Sequence, residues 1–439
     1  MADIRTFGVP GADAIGLDRP PFRKSLMPLV LLLVAILPLK QHPIWTGSGG
    51  ALSGIKIVGL ACIVYALIHL AKRRRWPRYL GTWQARWFLL FALLAFTSSL
   101  RANFSFYILS LASLLMLFFI LVSVVDSLKR LRWVVLTAVG SLGWASLYVL
   151  REWQQHQGWA TGYRGAWVVG DENHFAISAI CAIPLAWFMA QRRGPAWERC
   201  FLRGCMLLTF VATILAASRG GLFGLVAALL FMVIRSPHRG RNFAIVFVLF
   251  SVFNIAYPRS PLQRLIHPNV NDSGSEVAHL AAWHAGLQMI GEHPLAGVGV
   301  GEFERRMKKY LPEWYDGAVS MAHNAYISVA AEMGIPGLLL FLSVLIATYL
   351  SLERTYRNKA APTLITRTAV ALQAGLIGVS ISASFISAEL HEHLWFIIVM
   401  SMCLPPLAQR AQARAARRRH RRIRLSSDPA LTVHSPETA

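Results

Sequence analysis

The chain has 439 residues, of which 55% are hydrophobic and only 15% charged, and its mean hydropathy is +0.47. This composition is far more apolar than that of a soluble domain, so we expect a polytopic membrane protein. The net charge of +23 raises nucleic-acid binding as an alternative, but the distribution of the basic residues argues against it.

Apolar runs close to the length that spans a bilayer recur along the whole chain. The first is too long and too poor in small cleavage-site residues to be a removable signal peptide, so we interpret it as a retained span. The runs predict an all-α polytopic membrane protein with about twelve transmembrane helices, organised as a single membrane domain over residues 1–439. They lie near residues 26–42, 51–71, 87–100, 104–125, 132–150, 174–190, 201–217, 220–235, 242–257, 324–350, 364–388 and 394–408.

Successive loops are alternately rich and poor in basic residues. Roughly three quarters of the 44 lie on the side that holds both termini, and the positive-inside rule makes that side cytoplasmic. The last cytoplasmic segment, residues 409–439, contains RAQARAARRRHRR, which is typical of an anchor for anionic membrane lipids. We therefore expect membrane lipids as partners of this basic tail, and no nucleic acid.

Residues 258–323 form the longest predicted loop, and it lies on the outward side. The stretch SEVAHLAAWHAGLQMIG predicts a helix capped by Ser275 and ended by Gly291, and GEFERRMKKYLPEW predicts a second helix ended by Pro312. The glycine-rich segment between them could be a dinucleotide-binding motif, but such a motif follows a strand and no strand precedes this segment. We therefore interpret it as a turn that packs on the membrane domain. Its glycines are Gly297, Gly299 and Gly301.

Arginines at the outward ends of the predicted spans are the first candidate site residues. Arg219, in ASRGGLFG, lies between two spans, where an unpaired charge is costly unless an anion or a carboxylate binds it. Arg164 and Asn173 belong to GYRGAWVVGDENHF, ahead of a span, and Arg264 begins the long loop. Arginines without matching carboxylates predict a pocket for a polyanion, since a guanidinium binds phosphate oxygens bidentately. Snorkelling of Arg219 to the interface is the alternative.

A histidine follows on the same side. His323 and Asn324 open the stretch HNAYISVAAEMGIPG, and Glu332 lies two turns further into the predicted span. A histidine beside an arginine-bound phosphate suits general-base activation of a hydroxyl, although a structural hydrogen bond is the commoner use of a single histidine. Glu332 is interpreted either as a group that orients the histidine or as a buried carboxylate bonded to a neighbouring helix.

Metal ligands are not indicated by the sequence. No DxD pair occurs, and we expect His391 and His393, spaced i and i+2 in ELHEHLW, to lie on different sides of a helix. We therefore predict that no metal and no cofactor takes part.

Four stretches of residues 160–405 resemble the O-antigen ligase family, which is related to O-antigen polymerases. They are YRGAWVVGDENHFA, ASRGGLFGL, AAWHAGLQMIGEHPLAGVGVGEF and HNAYISVAAEMGIPGLLLF. The chain departs from the family where relatives often have an arginine shortly before the tryptophan of the loop helix, since His279 stands there.

The resemblance implies an inverting, metal-independent glycosyltransferase in the bacterial inner membrane, with a periplasmic active site. Its donor would be a glycan on undecaprenyl diphosphate, and its acceptor a sugar hydroxyl of lipid A-core. Arg219 and Arg264 would bind the diphosphate, Arg164 and Asn173 would line the donor entrance, and His323 would accept the acceptor's proton. An O-antigen polymerase and, from a different class, a transporter remain as alternatives.

Overall fold

A computed structural model describes residues 27–39, 54–71, 82–100, 106–161, 163–165, 171–257, 260–267, 270–317, 319 and 321–426. Within these residues there are sixteen α-helices, one short 3₁₀ helix at Leu37–Leu39 and no strand, so the all-α prediction is confirmed there. The helices are α1 Met27–Ile36, α2 Gly54–Ala71, α3 Trp83–Ser99, α4 Phe106–Val124, α5 Leu128–Gln155, α6 Gly158–Thr161, α7 Glu172–Ala190, α8 Ala196–Leu215, α9 Arg219–Ile234, α10 Arg239–Ala256, α11 Pro261–Ile266, α12 Val270–Glu292, α13 Phe303–Met307, α14 Ala325–Arg357, α15 Thr363–Ser382 and α16 Glu392–Ser426.

Six of these helices are long and apolar enough to cross a membrane, namely α5, α7, α10, α14, α15 and α16. The chain is therefore a multi-pass membrane protein. The predicted count of twelve spans is met only in part among the described residues. Several of the other apolar runs form shorter helices, such as α1 and α9, and α8 carries Glu198, Arg199 and Arg203 in its first two turns.

Helix α15 is central to the membrane part and packs against α7, α9, α14 and α16. Small residues bring these helices together. A Cβ atom added to Gly224 of α9 would lie 2.4 Å from the carbonyl oxygen of Gly378 in α15, so the two backbones are in direct contact at this point. The close contact holds the N-terminal half of α9, which begins at Arg219, against α15.

The described residues of the long predicted loop have a small core of their own. Met289 of α12, Phe303 and Met307 of α13, and Tyr310 are all buried in it. The first loop helix begins at Val270, five residues before the predicted cap at Ser275. The second is much shorter than predicted, because the chain turns after Met307 to bury Tyr310 in the same core.

The glycine-rich segment of this loop packs on α14, as predicted. The N–H of Val298 donates to the carbonyl of Ala331 at 2.8 Å, and that of Gly299 donates to the carbonyl of Glu332 at 3.0 Å. These acceptors are available because α14 is kinked at Gly334, whose φ is +72°, a conformation that favours glycine. The loop is thereby fixed to the helix that follows His323.

The last helix extends beyond the membrane part. Helix α16 continues without a break from Glu392 to Ser426, so the first half of the predicted basic tail is helical. Residues 427–439 of that tail lie outside the described residues, as does the predicted cytoplasmic N-terminal segment before residue 27.

Candidate active site

The turn at residues 216–218, between α8 and α9, connects three of the predicted site residues. Arg264 donates to the carbonyl of Ala217 at 2.6 Å, and Nε of Arg164 donates to the carbonyl of Ala216 at 3.2 Å. The hydroxyl of Ser218 donates to Oδ1 of Asn173 at 2.6 Å. Residues that lie far apart in the sequence thus meet at one turn, and Arg219 directly follows it.

The conformation of this turn requires such support. Ala217 has a φ of +51°, and the left-handed region costs a residue with a Cβ atom about 1–2 kcal/mol. A hydrogen bond from a charged donor contributes roughly 1.5–3 kcal/mol, so the bond from Arg264 alone is large enough to offset that cost. The hydroxyl of Ser218 also accepts the N–H of Gly221 at 3.0 Å and so caps α9.

Two of the arginines bind carboxylates, contrary to the expectation from the sequence. Arg219, whose side chain is 15% exposed, forms an ion pair with Glu276 of α12, whose side chain is 54% exposed. Arg164 forms an ion pair with Glu172 in the first turn of α7. Neither pairing was predicted. Glu276 lies 57 residues from Arg219 and carries no local signal of which arginine it reaches, whereas Glu172 stands in the same stretch as Arg164 and could have been found from the sequence. Arg219 is therefore a largely buried cation held by an exposed anion.

His323 lies in the turn ahead of α14 and has a φ of +48°. Its ring stacks on that of His279 in α12, with the ring centroids 4.4 Å apart and an angle of 16° between the ring planes. Burial lowers the pKa of His323 below its usual range, although the nearby charge of Asp171 acts in the opposite direction. Burial therefore favours the neutral form of His323, which is the form that a general base requires.

Helix α12 brings several groups to the same place. Glu276, His279 and Trp283 are spaced by three and four residues, so they share one face of the helix. Glu276 pairs with Arg219, His279 stacks on His323, and the Trp283 ring lies 6.5 Å from that of Phe385. Burial, together with the charges of His323 and Arg219, lowers the pKa of His279 to about 4. This helix face therefore connects the arginine and the histidine of the candidate site.

The remaining predicted residues make structural contacts. The side chain of Asn324 caps α14 by accepting the N–H groups of Tyr326 and Ile327 at 3.0 and 3.1 Å. Glu332 is buried, and its Oε1 accepts the N–H of Phe303 at 3.3 Å. Asn324, the residue after His323, thus fixes the start of α14, and Glu332 is a buried carboxylate bonded to the first residue of α13 in the long loop.

A second polar cluster, formed by His391, Glu392 and His393, is the one metal-binding candidate in the described part of the chain. Their potential ligand atoms lie within 4.8 Å of one another. The expectation that the two histidines point to different sides of a helix is wrong, because α16 begins only at Glu392 and His391 precedes it.

The hydrogen bonds of this cluster disfavour a metal ion. Nδ1 of His391 accepts the N–H of His393, and its Nε2 lies 3.2 Å from the carbonyl of His174 and so must donate. His391 therefore offers no lone pair while these bonds persist. Glu392 and His393 alone provide fewer ligands than the three or four protein ligands of a zinc site.

Comparison with known protein families gives one match, and it covers the centre of this site. Residues 204–342 match the family model described as O-antigen ligase. The matched range contains Arg219, Arg264, His279 and His323, so the resemblance identified from the sequence motifs is confirmed there. A search of curated proteins found no significant match to this chain.

Proposed function

Because residues 204–342 match the O-antigen ligase family, we propose that this multi-pass membrane protein is a glycosyltransferase of lipopolysaccharide assembly. It moves O-antigen glycan from undecaprenyl diphosphate to a sugar hydroxyl of lipid A-core, with inversion at the anomeric carbon and without a metal ion. The protein lies in the bacterial inner membrane with about twelve spans and both termini in the cytoplasm, and its site faces the periplasm.

The observation that carries this proposal is that the arginines gather at one turn and that one helix, α12, connects them to the histidine. Arg164 and Arg264 bind adjacent carbonyls of the 216–218 turn, Arg219 follows it, and α12 connects Arg219 to His323. A guanidinium has five N–H donors in a rigid fork, so one arginine can bind both a protein acceptor and a phosphate. The cluster therefore suits a lipid-linked diphosphate at the periplasmic surface of the inner membrane.

The proposed reaction transfers one proton and one glycosyl group. As the acceptor oxygen bonds to the anomeric carbon, its proton passes to His323, and the bond between that carbon and the phosphate oxygen breaks. The released undecaprenyl diphosphate keeps the bonding electrons, and Arg219, Arg264 and Arg164 stabilise its negative charge. A sugar hydroxyl is far more basic than imidazole, so His323 accepts the proton only while the new bond forms.

The test is an assay with purified protein, a lipid-linked glycan and lipid A-core in the absence of metal. Glycan attached to lipid A-core, seen as slower gel migration of the acceptor, supports the ligase. Longer glycans that stay on the polyprenyl lipid would identify an O-antigen polymerase, which is the alternative within the same family. If neither product forms while the donor crosses the membrane of a liposome, the protein is a transporter.

A further inference from the structure

His279 and His323 form a ring pair that the proposed reaction does not yet explain. The two rings are nearly parallel, with an interplanar angle of 16° and a centroid distance of 4.4 Å. Both residues are half-buried, and each comes from a different element, His279 from α12 and His323 from the turn ahead of α14. The stack is therefore a contact between α12 of the long loop and the turn that leads into α14.

The backbone next to His323 is held by the start of α14. His323 has a left-handed conformation, and Asn324, the next residue, caps α14 with two hydrogen bonds. The backbone alone does not determine the side-chain torsions of His323. A flat ring packed against the imidazole restricts them and also shields that face from water.

Helix α12 is itself held in place on both sides of His279. One turn earlier, Glu276 forms its ion pair with Arg219, and one turn later, Trp283 lies beside Phe385. The His279 ring is thus presented to His323 by a helix with two further contacts to the membrane part. A misplacement of about 1 Å at a catalytic group can lower a rate by about 10²-fold, so such support has a functional consequence.

We propose that His279 is a positioning residue for His323, whose imidazole it orients by stacking and partly screens from water. The inference rests on the proposed role of His323 as the general base. It assigns no proton transfer to His279.

The charges around the pair are consistent with two neutral rings. Asp171, the N-cap of α7, acts on His323, while Arg219 acts on His279 and is itself paired with Glu276. Burial, together with the charges of His323 and Arg219, lowers the pKa of His279 to about 4, so its ring is uncharged above about pH 5. The stack therefore depends on the shape of the ring and not on its titration.

This distinction separates two substitutions. Phenylalanine in His279→Phe keeps a flat ring of similar size, so the orientation and screening of His323 should persist. Alanine in His279→Ala removes the ring and admits water, which should raise the pKa of His323 towards its ordinary value. His284→Ala is the matched control, because His284 lies on the same helix with an exposed side chain.

The experiment measures the reaction of His323 with diethyl pyrocarbonate as a function of pH, using peptide mass spectrometry on the purified full-length protein. This reagent modifies neutral imidazole and requires no turnover, so the result stands whether or not the proposed transferase activity is found. We expect wild type, His279→Phe and His284→Ala to react slowly with a low midpoint. His279→Ala should react several-fold faster with a higher midpoint.

The transfer assay gives the second readout. His279→Phe should stay within about twofold of the wild-type kcat, and His279→Ala should fall by about tenfold or more. The acid limb of the pH–rate profile of the His279→Ala variant should move to higher pH. An alanine variant with unchanged labelling overturns the proposal, and so does a phenylalanine variant as impaired as alanine, since the imidazole nitrogens would then be required.

Discussion

Arg219 is the first residue of α9, where a cation opposes the partial positive charge of the helix N-terminus. A residue in this position contributes little to helix stability, yet its side chain is largely buried and bound by a carboxylate. Simple snorkelling to the interface does not account for this burial. The position is better explained by a requirement for a guanidinium beside the 216–218 turn.

The first prediction separates charge from geometry at this residue. If Arg219 binds a diphosphate through two parallel hydrogen bonds, Arg219→Lys keeps the charge but loses the fork, so its transfer rate should be nearly as low as that of Arg219→Ala. Steady-state kinetics on both purified variants give the comparison. Near-normal turnover of the lysine variant would return Arg219 to the interfacial interpretation.

The second prediction concerns His323. His323→Ala should lower transfer by about 10²-fold or more with normal membrane insertion, because a general base typically contributes that much. The wild-type rate should fall on acidification only below the ordinary histidine pKa, since burial lowers the pKa of His323 and only its neutral form accepts a proton. A pH profile of kcat/KM for the wild-type protein tests this sign. An alanine variant that keeps more than about a tenth of the activity contradicts the assignment.

The predicted residues and their partners differ in how far the sequence reveals them. Arg219 and His323 are recognisable because ionisable residues at the ends of apolar runs are costly. Glu276 lies 57 residues from Arg219 in the sequence, and most residues of the loop core lie in the sequence between His279 and His323. No local pattern indicates which of several loop residues will reach the membrane part, so these contacts required a structure.

Among the elements, α12 both supports the candidate site and competes with the proposed donor for Arg219. Glu276 presents a carboxylate to the guanidinium that is proposed to bind phosphate. The donor must therefore displace Glu276 or share Arg219 with it. This contact gives α12 an influence on donor binding that does not depend on touching the glycan.

The third prediction follows from this competition. Glu276→Gln removes the negative charge with little change of shape, so donor affinity should increase by about two- to fivefold, in line with roughly 0.5–1 kcal/mol for a partly exposed ion pair. The KM for the lipid-linked donor is the measurement. Glu313→Gln, on the same loop and exposed, is the control and should change nothing. Weaker donor binding in the Glu276 variant would show that the carboxylate instead holds Arg219 in place.

The fourth prediction concerns the kink of α14. A Cβ atom at Gly334 would lie 2.5 Å from the carbonyl oxygen of Leu295, and its φ is +72°, so Gly334→Ala should lower the melting temperature by several degrees. Gly291→Ala is the matched control, because no atom lies within 4 Å of its added Cβ and alanine favours the helix. Thermal unfolding of both variants in detergent distinguishes them. Equal melting temperatures would mean that the loop shifts at little cost.

Loop elements were predicted in kind but not in extent. The period of apolar residues predicts α12, but polar residues such as Asn271 and Asp272 resemble a loop by composition, so the predicted start at Ser275 came later than the observed start at Val270. Conversely, α13 ends at Met307 although the sequence pattern continues as a helix, because Tyr310 turns into the core. Boundaries of this kind are decided by tertiary packing.

At the scale of the whole molecule, hydropathy predicted the class correctly, and the number of spans only in part. The six confirmed candidate spans all coincide with predicted runs. The predicted run 201–217 covers the apolar part of α8, but the first half of that helix carries charged residues. Composition averaged over a window does not show where a helix meets the interface.

The fifth prediction is that transfer survives removal of divalent cations. The arginines supply the positive charge that a metal ion would otherwise provide, and the hydrogen bonds of His391 leave too few ligands for an ion. Activity after treatment with EDTA should remain within about twofold of the untreated value. Loss of activity that magnesium, manganese or zinc restores would contradict both points and direct attention to Glu392 and His393.

The turn at residues 216–218 has a consequence for how the protein is made. During synthesis the turn emerges together with the segments that carry Arg164 and Asn173, but Arg264 and the stacked histidines follow only later. A partly inserted chain therefore cannot bring the arginines and the histidine together. Since domains form progressively as a chain is synthesised, a site that faces the periplasm as proposed would be complete only after the long loop has crossed the membrane and folded. Translocation of that loop would thus be a required step of maturation, before which the nascent protein has no competent site.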